Sequence, residues 1–143
     1  MWKPNVRPHG EYFAIAQAVT TSDVAGNQTD NNPQRLDASQ SGTAVRVATP
    51  IAGSLTVASA ETVTLSVYGS KSSSGASPVL LGTAVYTNDT GAAATLGSDA
   101  TLLEFVLPQA VLTYPYISVK LAGSAAPTGS VDIFPHYISA PRR

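Results

Sequence analysis

The most regular pattern in this chain lies in its C-terminal third, between residues 101 and 138. Large apolar residues recur there at every second position, the period of a half-buried antiparallel strand: Leu103, Phe105, Leu107, Ile117, Val119, Leu121, Val131 and Ile133. The positions between them hold Glu104, Ser118, Lys120 and Asp132, which predicts that these four side chains face away from the core. A Gly- and Pro-containing segment at 122–129 separates the last two runs, so they are predicted to pair as a hairpin.

The rest of the chain has the same character, and no window of eleven or more residues has helical periodicity. The predicted strands are residues 11–20, 43–49, 54–58, 61–68, 79–87, 101–107, 116–121 and 130–134. Long polar segments at 23–41 and 88–99 are interpreted as loops, the first with one short strand near Arg35. In the first strand Phe13, Ile15 and Val19 are the inward candidates, and four valines and a leucine complete the predicted core: Val45, Val47, Val63, Leu65 and Val67. Eight strands with long crossings predict an all-β protein, a single antiparallel β-sandwich that is jelly-roll-like.

The domain organisation follows from the ends of the chain. Residues 1–10 hold two prolines and one glycine without periodicity, which predicts an extended N-terminal arm. The sandwich is expected over residues 11–138, followed by a basic C-terminal tail at 139–143. With 143 residues, one domain with one core is expected.

Charge is sparse and unevenly distributed. Only 12% of the residues are charged, about half the usual fraction, and a weakly charged β exterior invites edge association unless a partner covers it. Four of the eight cations, Lys3, Arg7, Arg142 and Arg143, lie in the two terminal segments, which hold no acid; the remaining residues hold four cations against all nine acids. This asymmetry predicts an acidic protein surface as the partner of the arms. Nucleic acid is not predicted, because the chain has no Lys/Arg run.

Aromatic residues mark the same ends. Trp2 is predicted to anchor the arm in a neighbouring subunit, since Trp is enriched at interface hot spots; the alternatives are a residue of a disordered tail and a residue that folds back on its own core. Tyr12 and Tyr137 complete the predicted interface, together with Trp2 and the four terminal cations. Tyr12, Tyr114, Tyr116 and Tyr137 also permit a carbohydrate-binding module, in which sugars stack on exposed rings; strand packing of these tyrosines is the alternative.

No catalytic set is apparent. The two histidines, His9 and His136, lie in no context that promises a nucleophile triad. Glu104 and Asp132 are the only acids whose convergence would suggest acid-base chemistry. The aspartates of the 23–41 segment do not have calcium-loop spacing, no phosphate-binding loop occurs, and there is no cysteine. No segment has the roughly 20 apolar residues of a spanning helix. We therefore expect no enzyme activity, cofactor, metal or membrane insertion. Two glycosylation-type motifs begin at Asn27 and Asn88, and both are interpreted as loop residues.

Four segments carry a resemblance to a known family. They are Ile-Ala-Gln-Ala-Val-Thr-Thr-Ser-Asp at 15–23, Leu-Glu-Phe-Val-Leu-Pro at 103–108, Tyr-Pro-Tyr-Ile-Ser-Val-Lys at 114–120, and Ala-Gly-Ser-Ala-Ala-Pro-Thr-Gly at 122–129. Across residues 14–134 the chain resembles the small jelly-roll cement, or head-decoration, proteins of tailed bacteriophages. The resemblance implies a non-enzymatic virion protein on the outer capsid surface. Such a protein would staple subunits of the major capsid protein, as a homo-oligomer such as a dimer or trimer.

Overall fold

The computed structural model describes residues 12–28, 34–35, 43–108 and 113–137, and every regular element in these ranges is a β-strand. The strands are β1 (Ala14–Gln17), β2 (Val24–Ala25), β3 (Gln34–Arg35), β4 (Thr43–Ala48), β5 (Leu55–Val57), β6 (Thr62–Ser70), β7 (Val79–Thr87), β8 (Ala94–Leu96), β9 (Thr101–Val106), β10 (Tyr116–Gly123), β11 (Thr128–Gly129) and β12 (Val131–Tyr137). Within these ranges no helix is long and apolar enough to cross a membrane. The predicted all-β class is confirmed.

The order of the strands identifies the fold as a jelly roll. The first sheet has the order β1-β12-β4-β9, and the second sheet has the order β2-β10-β6-β7, with β3 pairing beside β2 on the same side of β10. The pairs are nested and antiparallel: β1 with β12, β2 and β3 with β10, β4 with β9, and β6 with β7. Such nesting is one long hairpin rolled into two sheets, which is how a jelly roll places two Greek keys face to face.

The core lies between the inner faces of these sheets and agrees closely with the period-two pattern. All the predicted core residues are buried except Phe105 and Leu107, which are half-buried and pack against the core cluster. Phe13 and Val19 are buried as predicted. Leu55, Val57 and Leu102 add to the cluster. Alternation therefore located the core because each sheet has one apolar and one polar face.

The first strand departs from its prediction. Ile15, an inward candidate, has 46% of its surface exposed, and the strand has four residues instead of ten. The reason is local: Ala16 has a φ of 49° and the register with β12 shifts between Ala14 and Gln17. The Asp132 carboxylate accepts a hydrogen bond from the Ala16 N–H at 2.7 Å. Asp132 was predicted to face away from the core, but it is buried, with 6% of its surface exposed.

The predicted C-terminal hairpin is wrong. β10 pairs with β6 in the second sheet, whereas β12 pairs with β4 and β1 in the first sheet. The intervening segment crosses between the sheets and contributes β11. Both strands alternate correctly because they face the same core from opposite sides. A period of two does not distinguish pairing in one sheet from packing across a core.

A third sheet closes one end of the sandwich, here called the closed end. It has the order β11-β5-β8 and is built from the connections β4–β6, β7–β9 and β10–β12. The segment at 88–99, predicted to be a loop, thus contains β8. The buried Asn88 side chain, 1% exposed, joins the start of this segment to the end of β5. Its Nδ2 donates to the carbonyls of Val57, Ala58 and Ala92 at 2.9, 3.1 and 2.8 Å, and its Oδ1 accepts from Thr90.

Candidate interaction sites at the terminal end

The opposite end of the sandwich is where the described chain begins and finishes. In the first sheet Ala14, at the start of β1, lies opposite Ile133 of β12, and β12 continues from there to Tyr137, which lies opposite Thr43 at the start of β4. The chain passes from Val106, at this end of β9, to the start of β10, where Tyr116 lies opposite Ser70 of β6. The start of β1, the end of β12, the β6–β7 connection and the start of β10 therefore share this end, here called the terminal end.

Of the seven predicted interface residues, the structure describes two. Tyr12 packs on its own sheet: its ring centroid lies 5.5 Å from that of Phe134, with the rings tilted by 46°. Phe134 is fully buried although alternation places it on the outer face of the first sheet. For Tyr137 the structure describes only the backbone, opposite Thr43. Trp2, Lys3, Arg7, Arg142 and Arg143 lie outside the described residues, as do the arm and tail at 1–10 and 139–143.

A charged row crosses the outer face of the first sheet beside these aromatics. Arg46 of β4 lies opposite Glu104 of β9, and its Nη2 and Nε are 2.9 and 3.0 Å from Glu104 Oε2. His136 lies in the adjacent row, opposite Ala44. Burial and the positive charge of Arg46 lower the pKa of His136, while Glu104 opposes the shift. Neutral imidazole is thus favoured in the folded chain.

The two acids singled out from the sequence do not converge on each other. Glu104 binds Arg46, whereas Asp132 accepts the Ala16 amide hydrogen. Paired carboxylates in glycoside hydrolysis face each other across a cleft. In the described ranges there is also no group of three or more His, Asp or Glu side chains that could hold a metal ion.

An open pocket of about 500 Å³ lies at the terminal end, between the β6–β7 connection and the segment before β10. Its lining residues are Lys71, Ser72, Ala76, Ser77, Val79 and Tyr114. The Lys71 ammonium lies 5.6 Å from the centre of the Tyr114 ring, within cation–π range. Two features hold this geometry. Ser70 Oγ donates to the Ala76 carbonyl at 2.6 Å and accepts the Ser72 N–H at 3.1 Å. A Cβ at Gly69 would lie 2.7 Å from Tyr114 Cβ and 2.8 Å from the Tyr114 carbonyl oxygen, so glycine is needed for the segment at Tyr114 to approach this closely.

The pocket was only partly foreseeable. Tyr114 is one of the four tyrosines selected from the sequence, and Tyr116 lies nearby, half-buried at the start of β10. Lys71 and its neighbouring serines were missed because they belong to a Ser-rich segment that composition marks only as a turn or loop. One signal was available: Lys71 is the single cation between residues 47 and 119.

Comparison with models of known protein families finds no match to this chain, and comparison with curated proteins finds none either.

Proposed function

We propose that this protein is a structural virion protein that binds the outer surface of a bacteriophage capsid and staples subunits of the major capsid protein. The proposal rests on the resemblance of residues 14–134 to cement proteins. The single structural observation that carries it is the pairing of β1 with β12, with Ala14 opposite Ile133. Because these two strands are antiparallel neighbours, the described chain begins and finishes at the terminal end of the sandwich.

The distribution of charge along the sequence suits a stapling role. Lys3 and Arg7 precede β1, and Arg142 and Arg143 follow β12, whereas all nine acids lie between these two segments. An acidic groove between capsid subunits is the complementary surface. Ordering an arm costs about 1–2 kcal/mol per residue. Binding therefore requires apolar burial of Trp2 and charge-assisted hydrogen bonds in addition to simple attraction.

The test is co-sedimentation of purified capsids with three forms of the protein. Deleting residues 1–10, or replacing Arg142 and Arg143 with Gln, should reduce capsid occupancy and make the remaining binding more sensitive to salt. The melting temperature should hardly change, because the core residues that the structure describes all lie between Phe13 and Phe134. Lys120→Gln is the matched control, since it removes a cation from an exposed strand position away from this end. Normal decoration by the truncated protein would contradict the proposal.

The pocket supports a second candidate, a carbohydrate-binding module on a virion. Its volume lies in the range of small-ligand sites, and it offers an aromatic ring, an ammonium group and serine hydroxyls. Tyr114→Ala should then abolish binding on a glycan array. Tyr68→Ala is the control, because Tyr68 also lies beneath a lysine, Lys120 at 5.5 Å, but does not line the pocket. Glycan binding without capsid association would favour this candidate over the first.

A further inference from the structure

The longest edge strand among the described residues carries no charge. β7 is the last strand of the second sheet, and its sequence is Val-Leu-Leu-Gly-Thr-Ala-Val-Tyr-Thr. These nine residues include no Asp, Glu, Lys, Arg or His, and no proline. Val85 is 54% exposed, and Leu80 is 53% exposed. Charged side chains and prolines are the common means by which proteins keep open edges from pairing with other chains.

The opposite side of the sandwich is protected. β2 and β3 cover the outer edge of β10. At the β1 edge, the Asn27 side chain imitates a strand: Oδ1 accepts the Ile15 N–H and Nδ2 donates to the Ile15 carbonyl, both at 2.9 Å. Gln17 adds a bond to the Asn27 N–H at 2.7 Å. Short strands thus cover the edge at β10, and amide side chains bind the edge at β1. Among the described residues, β7 pairs only with β6.

The backbone of β7 defines which groups are free to pair. The Asn88 N–H donates to the Glu61 carbonyl at 3.0 Å, so Asn88 points toward β6. Hydrogen-bonding direction alternates along an antiparallel strand, and the backbone groups of Thr83, Val85 and Thr87 therefore point outward. The register shift opposite Val67 and Tyr68 leaves Leu81 as the extra residue. The regular run that follows, from Gly82 to Asn88, has Val85 as its middle residue.

We propose that β7 pairs antiparallel with β7 of a second copy of this chain, about a two-fold axis at Val85. This register sets Val85 opposite Val85 of the second copy and Thr83 opposite Thr87. Cross-strand pairs of β-branched residues and of threonines are favourable, and no charge is set against itself. A second copy is the fitting occupant because the strand is complementary to its own reverse, as an isologous interface requires. The inference concerns self-association and does not depend on capsid binding.

The first test is sedimentation velocity of the full chain over a concentration series. Wild type should show a concentration-dependent dimer. Val85→Lys should raise its dissociation constant more than about tenfold, because two ammonium groups would face each other across the axis. Thr64→Lys is the matched control: Thr64 lies opposite Val85 on β6, so the same charge is added one strand away from the interface. Mixing Val85→Lys with Val85→Glu protein should restore dimers as mixed pairs. Wild type that sediments only as a monomer, or equal effects of Val85→Lys and Thr64→Lys, would overturn the proposal.

Cross-linking tests the register independently of the charge variants. The chain has no cysteine, and directly opposite residues of a hydrogen-bonded antiparallel pair lie about 5.5 Å apart between Cα atoms, within disulfide range. Val85→Cys should therefore form a disulfide-linked dimer under mild oxidation, whereas Thr64→Cys should not. A dimer that persists while Val85→Cys stays uncross-linked would refute pairing at this axis.

Discussion

The two ends of this jelly roll are stabilised in different ways. At the closed end, three connections between strands form a sheet of their own, and buried polar side chains hold them together: Asn88 binds three carbonyls, and Thr49 Oγ1 donates to the Gly97 carbonyl and accepts the Ala100 N–H at 2.6 and 2.7 Å. At the terminal end, the Ser70 hydroxyl bonds only within its own connection, to the Ala76 carbonyl and the Ser72 N–H, and two aromatic contacts join different segments: the tilted Tyr12–Phe134 pair and the Lys71–Tyr114 cation–π pair.

This difference means that substitutions at the two ends should affect stability to different extents. A buried amide that satisfies several carbonyls is costly to remove, because each group left without a partner has lost its water as well. A cation–π pair at an exposed site contributes only about 0.5–1 kcal/mol. The exposed side chains of the terminal end, such as Lys71, can therefore vary with little effect on folding. The following substitutions test this difference.

The largest effect is expected at the closed end. Asn88→Ala should lower the free energy of unfolding by about 3 kcal/mol, the upper part of the range for leaving buried polar groups unsatisfied, since the carbonyls of Val57, Ala58 and Ala92 would lose their donor. Urea unfolding monitored by circular dichroism measures the change.

Asn27→Ala is the matched control, because Asn27 makes amide bonds of the same kind at an exposed edge. It should cost about 1 kcal/mol or less. Equal losses in the two variants would mean that burial at the closed end contributes nothing special, and the comparison of the two ends would fail.

A smaller, pH-dependent effect is expected from His136. Its pKa in the folded chain is lowered from 6.5, first by burial and then by Arg46. The unfolded chain therefore binds a proton at pH values where the folded chain does not, and the free energy of unfolding should fall as the pH is lowered through 6.5 toward the folded pKa. Below both values the dependence on this group should cease.

Unfolding curves of wild type and His136→Gln across this pH range isolate the contribution. The variant should lose the part of the slope that belongs to this histidine, while other titrating groups contribute equally to both proteins. If the two slopes agree, the outer face of the first sheet does not disfavour the imidazolium.

The sequence predicted most of this fold but not its pairing. Val63, Leu65 and Val67 alternate with Thr62, Thr64 and Ser66, and because one face of β6 contacts the core, the pattern translates directly into burial. Strand pairing depends on the whole chain. The residues around Val119 do not indicate that it pairs with Val67, or that Val131 lies in the other sheet. Asn88 lies between strands, as predicted, but nothing in its sequence neighbours indicates that its side chain is buried and binds residues about thirty positions away.

The candidate sites were predicted less completely, for a related reason. Counting charges identified the basic ends of the sequence. Charge counts could not predict the antiparallel pairing of Ala14 with Ile133, because this pairing joins residues from opposite ends of the chain. The pocket arises from Lys71 and Tyr114, which are far apart in sequence and meet only because Ser70 lies opposite Tyr116. Patterns in a single sequence indicate which face of a strand is buried and where turns occur. Sites formed by residues that strand pairing brings together can be located only once the fold is known.

The smallest stability effect is expected at the terminal end and completes the comparison. Lys71→Ala should change the free energy of unfolding by less than about 1 kcal/mol, because the lysine is exposed and its described partner is one aromatic ring. Lys120→Ala removes an equivalent pair, with Tyr68 at 5.5 Å on the outer face of the second sheet, and should cost about the same. The two variants should differ in binding: only Lys71 lines the pocket, so only Lys71→Ala should weaken whichever ligand, capsid or glycan, engages the terminal end. Co-sedimentation and glycan-array binding of both variants, beside their urea unfolding curves, measure this. A stability loss for Lys71→Ala comparable to that of Asn88→Ala would make the Lys71–Tyr114 contact structural, and the terminal end would then be as integral to folding as the closed end.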